Sequence, residues 1–320
     1  MGQVAEVLVV GSYNAGFSVY AERLPRPGET VLGGDFDWGP GGKGANQAIG
    51  LKRLGVDVCL AVKLGADVFG EHAREVLARE GLPERGIMTG RGPTGIAFIV
   101  VGPEGENEIV VAPGANLELD VTDLQLLGED FLVSDGDRCP MALVQLECRA
   151  ELAIGVAHWA HERGARCVLN PAPARPLPPE ALVLFDVLTP NEGELATLAR
   201  HVGIAGESIA EQALGLTKYG VHDVVVTLGE QGALWASEGE IKCFGSYRAQ
   251  VVDTTGAGDA FTAGLVAALA AGEPMAAAID QGCRAGAFCV AHAGVIDGLA
   301  RLDELESPRS LGATGGLNEY

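Results

Sequence analysis

What limits the fold of this chain most is an alternation. Short, continuous apolar runs, AEVLVVG, DVCLAV, MALVQL, ARCVLN, LVLFDVLTP and DVVVTLG, are separated by longer stretches with helical spacing. The latter include GANQAIGLKRLG, GEHAREVLAREG, AELAIGVAHWAHERG, NEGELATLARHVG, GDAFTAGLVAALAAG and MAAAIDQGCRAGAFCVAH. A strand that is apolar at every position is buried on both faces, and strands joined through helices run parallel. The pattern therefore predicts an α/β fold: a mostly parallel central sheet flanked by helices. Two regions break it, Glu29 to Trp38, and Thr94 to Val111 with its turn at Pro103 to Glu106. There strand follows strand, and polar residues interleave with apolar ones, as in a half-exposed antiparallel flap. A small β lid is the simplest reading; the plain alternative is a pair of surface hairpins.

Composition excludes several classes. With 48% hydrophobic and 20% charged residues, the 320-residue chain has enough apolar surface for a core, in one large domain or two smaller ones. Its 43 acidic against 22 basic side chains give a net charge of −21. Such a surface repels nucleic acid and anionic membranes. A polyanionic ligand would have to be met by backbone amides, a metal or a few placed cations. The apolar run Val7 to Val10 is too short for a signal core, and the Ala-rich stretch from Ala260 to Ala271 is stopped by Glu273 and Pro274. No membrane span and a cytoplasmic location are expected. Seven cysteines without CxxC spacing argue for reduced, buried thiols rather than a disulfide frame or a zinc site. The polar, Gly-rich tail from Ser307 to Tyr320 is expected to be mobile.

Three glycine-rich places carry chemistry. In GPGGKGANQ, Gly39 to Gln47, the glycines overlay the dinucleotide template at Gly39, Gly41 and Gly44, but Asp35 to Trp38 is not the buried opening strand that motif follows. A Walker loop fails too, with Asp37 and Gly44 at required Gly and Ser/Thr positions. What remains is a loop that approaches a ligand closely, with Lys43, Asn46 and Gln47 near a helix start. In DTTGAGDAFTAG, strand-like residues Ala249 to Val252 lead to Gly256, Ala257 and Gly258 at a helix N-terminus, whose unsatisfied amides and dipole attract anions. Asp259 projects beside them. Taken alone it could simply complement the dipole; beside an anion hole it suits a general base that deprotonates an alcohol during phosphoryl transfer. Third, TPNEGE with Asn191, Glu192 and Glu194, and VVTLGEQGA with Thr227, Gly229 and Gly232, lie at strand ends, where open α/β sheets gather ligands. Each of these carboxylates could be a solvated cap, and for Glu192 that is the better reading.

Taken together, GGKGANQ, LNPAPA at Leu169 to Ala174, TPNEGE and DTTGAGDAF resemble the ribokinase family, also called the phosphofructokinase-B family, of sugar and nucleoside kinases. PGET at Pro27 to Thr30, GEN at Gly105 to Asn107, GAN at Gly114 to Asn116 and QLE at Gln145 to Glu147 extend the likeness from about Val7 to Ala300. The resemblance implies a single kinase domain over residues 1–306, with a β lid from about 13–38 and 94–112. It implies ATP-dependent phosphorylation of a primary hydroxyl of ribose or a related small sugar, and a homodimer formed through the lid. Carried over by position, Asp259 is the base and Gly256, Ala257 and Gly258 the anion hole. Asn14, Gly42, Lys43, Asn46 and Glu147 match sugar contacts; Asn191, Thr227, Gly229 and Gly232 match nucleotide contacts. Glu194 matches the carboxylate that organises Mg²⁺ through water, and Asp253, Thr255 and Gly294 fall at a site for activating K⁺.

Two positions depart from the family. Gly16 stands where an aspartate that binds the sugar is expected, and Gly298 where a hydroxyl residue is expected near the cation loop. The first opens the identity of the sugar, and the second weakens the K⁺ expectation. Other readings are a nucleoside or other carbohydrate kinase of the same family, an NAD-linked dehydrogenase using Gly39 to Gly44, and a non-catalytic sugar sensor. The last two are disfavoured by the loop context and by Asp259, respectively.

Overall fold

The computed structural model describes residues 7–103, 107–127, 140–306 and 312–313. Its strands in chain order are β1 (Val7–Val10), β2 (Asn14–Tyr20), β3 (Phe36–Gly41), β4 (Val58–Leu64), β5 (Ile87–Thr89), β6 (Gly95–Val101), β7 (Asn107–Ala112), β8 (Met141–Gln145), β9 (Arg166–Asn170), β10 (Val187–Leu188), β11 (Asp223–Thr227), β12 (Ala233–Ser237) and β13 (Glu240–Phe244). The main helices are α1 (Lys43–Arg53), α2 (Val68–Arg79), α3 (Ala150–His161), α4 (Glu192–His201), α5 (Ile209–Thr217), α6 (Ala257–Ala270) and α7 (Met275–Val290). Nine strands form one sheet in the order β13-β12-β11-β10-β9-β8-β1-β4-β5. All neighbours from β11 to β5 pair parallel, as the apolar runs predicted.

The double-sided burial has a simple cause. Along β1, Val7 and Val9 enter one core with residues of α1, α2, α6 and α7, while Leu8 and Val10 enter a second core with α3, α4 and α5. Alternate residues of a strand point to opposite faces, so only an apolar run serves both layers. Each such side chain contributes about 1.5 to 3 kcal/mol relative to exposure. The chain leaves β1 for β4 and β5 on one side, then returns to β8 on the other. The order thus reverses between β1 and β8, and a crevice opens beyond their carboxyl ends.

A separate four-stranded sheet, β3-β2-β6-β7, forms the lid. It is not the purely antiparallel flap expected, because β2 pairs parallel with β6. Both strands run outward from the body, one following β1 and the other following β5, so they point the same way. Within the first flap region only Phe36 onward is strand, and β3 continues through Gly39, Pro40 and Gly41, a stretch whose glycines predict a loop. Pairing of Gly16 with Gly39 and of Asn14 with Gly41 holds those glycines extended.

Two further expectations are corrected. LVLFDVLTP is not one continuous strand: its first three residues finish a 3₁₀ turn, Pro179–Leu184, and only Val187–Leu188 lies in the sheet. Pro178 and Pro179 start that turn, and Leu182 and Phe185 bury in the α3–α5 core instead of extending the strand. Residues 249–252 are not a strand, and Val251 and Val252 are exposed. Beyond β11 the sheet ends in the antiparallel strands β12 and β13. Five cysteines, Cys59, Cys148, Cys167, Cys283 and Cys289, are buried free thiols and Cys243 is half-buried; Cys139 lies outside the described residues. So do Gly105 of the GEN motif and all of the 307–320 tail except 312–313. Among the described residues no helix is long and apolar enough to cross a membrane.

Candidate active site

The crevice beyond β1 and β8 is lined from both sides. Glu147, just past β8, accepts hydrogen bonds from the Ser12 hydroxyl, from Asn14 Nδ2 at 3.4 Å and from the Lys43 backbone N–H at 2.9 Å. Asn14 is held in turn by Asn116, whose Nδ2 donates to Asn14 Oδ1 at 3.0 Å. Asn116 also pairs with both backbone groups of Tyr13, at 3.0 and 2.9 Å, so the GAN motif fixes the first residues of the lid to the body. Gly42 caps α1 with φ +91°, and a side chain there would meet the Asn14 backbone N at 2.8 Å. Only glycine lets the helix begin this close to the lid.

Asp259 stands in the first turn of α6 and is 6% exposed. Two consecutive amides of α1 grip its carboxylate: Asn46 Nδ2 donates to Oδ2 and Gln47 Nε2 to Oδ1, each at 2.8 Å. Gly256 caps α6 in the left-handed region, φ +83°, which swings the chain into the helix. At Gly258 a side chain would meet no atom within 4 Å, so the helix start is bare on that side. The first-turn amides there have no intrahelical acceptor. One expected donor is partly spent, since the Ala257 N–H turns back to the Thr254 oxygen at 3.3 Å.

Lys43 is half-buried, and the Asp259 carboxylate, with Glu147 and Glu194 assisting, raises its pKa against the opposing effect of burial. The ammonium is therefore charged at neutral pH. Glu194 lies on the next strand-to-helix connection, where it closes a capping box. Asn191 Oδ1 accepts from the Glu194 N–H, and Glu194 Oε2 from the Asn191 N–H, both at 2.8 Å. Burial raises the Glu194 carboxyl above the usual range, partly offset by that Asn191 N–H. A bridge between Asn191 and Thr227 joins the starts of the two loops read as nucleotide contacts. Gly229 is exposed, whereas Gly232 is buried, and a Cβ added there would lie 2.0 Å from the Phe244 oxygen.

Farther along, Asp253 accepts from the N–H groups of Thr255 at 2.9 Å and Gly294 at 3.1 Å, clipping two loops together. Burial pushes its carboxyl up, but these hydrogen bonds outweigh it and the net shift is downward. Gly298 is buried with its Cα side against the Cys289 sulfur, where an added Cβ would lie 2.9 Å away. Among the described residues no group of three metal-ligating side chains occurs.

Several residues of the site carry no assigned role in the sequence, Gln47 being noted there only for its place near a helix start. Ser12, Asn116, Gln145, Asn170 and above all Gln47 carry its hydrogen bonds. For Gln47 a signal existed: it is a polar residue among Ala45, Ala48 and Ile49 in the buried stretch of α1.

A carboxylate at a glycine-bared helix N-terminus, facing polar groups across the switch point of a parallel sheet, suits the chemistry of a small-molecule phosphotransferase. Comparison with known proteins narrows the class. The pfkB family carbohydrate kinases match residues 4–301. A ribokinase of Haemophilus influenzae is 36% identical over 89% of this chain and 92% of its own, and a deoxyribokinase of Salmonella typhi is 32% identical over 80% and 83%. The structure of Arabidopsis thaliana ribokinase complexed with ribose and ATP superposes with a TM-score of 0.83 at 30% identity, covering 95% of this chain and 98% of that one. The chain belongs to the pfkB family of carbohydrate kinases and has the ribokinase fold.

Proposed function

We propose that the protein is an ATP-dependent kinase of ribose or a closely related pentose. The observation that carries this reading is the buried Asp259 carboxylate, gripped by two α1 amides at the bared start of α6. In the proposed step a primary hydroxyl of the sugar gives its proton to Asp259 as its oxygen bonds to the γ-phosphorus. The bond from that phosphorus to the β,γ-bridging oxygen breaks, and ADP leaves with the electron pair. Amides at Gly256, Ala257 and Gly258 and the Lys43 ammonium receive the charge on the transferring group. Asn14, Gly42, Lys43, Asn46 and Glu147 hold the sugar; the Asn46 Oδ1, buried without a partner, is an acceptor suited to a sugar hydroxyl. Asn191, Thr227, Gly229 and Gly232 line the nucleotide.

Glu194 suits a Mg²⁺ that keeps most of its ligands as water and phosphate, since only its Oε2 is engaged by Asn191. Bound there, the ion would neutralise phosphate charge. The loops clipped by Asp253, with Thr255 and Gly294, are the proposed K⁺ site. A single kinase domain over 1–306, a cytoplasmic location and a homodimer through the lid complete the proposal; exposed Phe36, Phe98, Ile109 and Val110 on the lid support the last. A second reading, a pentose lacking a hydroxyl or carrying an added substituent, is favoured by bare Gly16 two residues beyond Asn14 on the same lid strand. The test is sugar-dependent ADP release from ATP across pentoses, deoxypentoses, hexoses and nucleosides, with the phosphorylated position read by NMR. Transfer to a primary hydroxyl of a pentose is expected. Transfer only to a secondary hydroxyl, or none to any sugar, would overturn the reading.

A further inference from the structure

We propose that Gln47 is a positioning residue that aims the Asp259 carboxylate; the inference rests on the reading of Asp259 as the proton acceptor. Gln47 is fully buried, and every polar group it has is committed. Its Nε2 donates to Asp259 Oδ1 at 2.8 Å and to Asn170 Oδ1 at 3.1 Å, and its Oε1 accepts from Gln145 Nε2 at 2.6 Å. Asn170 is oriented independently, because its Nδ2 donates to the Thr189 oxygen at 2.8 Å. The network thus links the base to the carboxyl ends of β8, β9 and β10.

Its polarity runs outward from Asp259. An ionised carboxylate only accepts, so Gln47 must turn its NH₂ toward it and its carbonyl toward Gln145. Gln145 then has its own Oε1 buried with no partner. Turning Gln145 over would set two carbonyl oxygens face to face; turning Gln47 over would set its oxygen against the carboxylate. A network serving packing alone has no need of that orphan, and an apolar pair of the same shape would be free of it. Asn46, the other donor to Asp259, has a free acceptor and is placed to change partners when sugar binds. Gln47 has no such freedom and keeps the base aimed throughout.

The charged and titratable groups around Asp259 are Lys43 on α1, Glu194 on α4 and the Cys289 thiol on α7, with Glu147 beyond Lys43. None is bonded to Gln47. A carboxylate placed at residue 47 would share its proton with Asp259 and raise the apparent pKa of the pair. The experiment is steady-state kinetics with ATP, Mg²⁺ and ribose, or the pentose preferred in the panel, from about pH 5 to 9, on the wild type, Gln47→Met, Gln47→Glu and Asp259→Asn. Gln47→Met is expected to lower kcat about tenfold or more while both KM values stay within about threefold. Gln47→Glu is expected to move the acid limb of kcat/KM upward by about one pH unit or more, with activity recovering at high pH. That apparent pKa does not depend on how much of the preparation is folded. A wild-type kcat in Gln47→Met, or a wild-type acid limb in Gln47→Glu, would overturn the inference. If Asp259→Asn is inactive in that case, positioning alone has failed; if Asp259→Asn is active, the assignment of the base has failed with it.

Discussion

Gly16 pairs with Gly39 on one side and Ala97 on the other, so three neighbouring lid strands carry no more than a methyl group at one level. A Cβ at Gly16 would meet only the Gly39 oxygen at 3.6 Å and Ile99 Cδ1 at 4.0 Å, ordinary contacts, so a side chain can start there without a clash at its Cβ. A charge-assisted hydrogen bond is worth about 1.5 to 3 kcal/mol, or roughly 10- to 100-fold. The wild type is therefore expected to discriminate weakly between ribose and 2-deoxyribose, and Gly16→Asp to raise that ratio about tenfold or more; an unchanged kcat/KM ratio would contradict this. The two glycines of the α6 start behave differently. Gly258→Val adds atoms to open space, so it is expected to leave the melting temperature nearly unchanged and to raise KM for ATP. Gly256→Ala forces a side chain into φ +83° and within 2.8 Å of Val295 Cγ1, and should cost about 1 to 3 kcal/mol in denaturant titration.

Asp67 couples two elements. It caps α2 by accepting from the Gly70 N–H at 2.8 Å, and it accepts from the Thr94 N–H at 2.8 Å and hydroxyl at 2.7 Å just before β6 enters the lid. Burial opposes ionisation, but the hydrogen bonds from Thr94 and Gly70 prevail and lower the Asp67 carboxyl. With the folded value below the unfolded one, its stabilisation is complete above about pH 4, the ordinary aspartate range, and is lost as pH falls through the folded value. Asp67→Ala is expected to cost about 1 to 2 kcal/mol at neutral pH, with the gap to the wild type closing in acid; a urea midpoint difference that is constant with pH would contradict this. Such ties are also where sequence reading stopped. Helices such as α1, α2, α3, α4, α6 and α7 and the parallel strands were legible because their periodicity is set by burial. The parallel β2–β6 pair, the β12–β13 edge and the extended Gly39–Gly41 segment were not, because the partner strand decides them. The glycine-rich helix start pointed to Asp259 and the family resemblance to Glu147, whereas Gln47 and Asn116 show their role only through partners distant in sequence.

For the whole molecule, the net charge of −21 bears on how ATP is held. With few cations available beyond Lys43, the nucleotide's charge has to be balanced by amides and a divalent ion. Activity is expected to vanish in excess EDTA and return with Mg²⁺; full activity in chelator would contradict the account. The two layers of helices, the switch point and the lid converge on one carboxylate, and the central claim is that it takes the sugar's proton. The most direct test is kcat of Asp259→Asn beside calorimetric binding of the sugar and ATP. The account predicts a fall of about 100-fold or more in turnover with both dissociation constants within about threefold of the wild type. Near wild-type turnover in that variant, with binding intact, would contradict it.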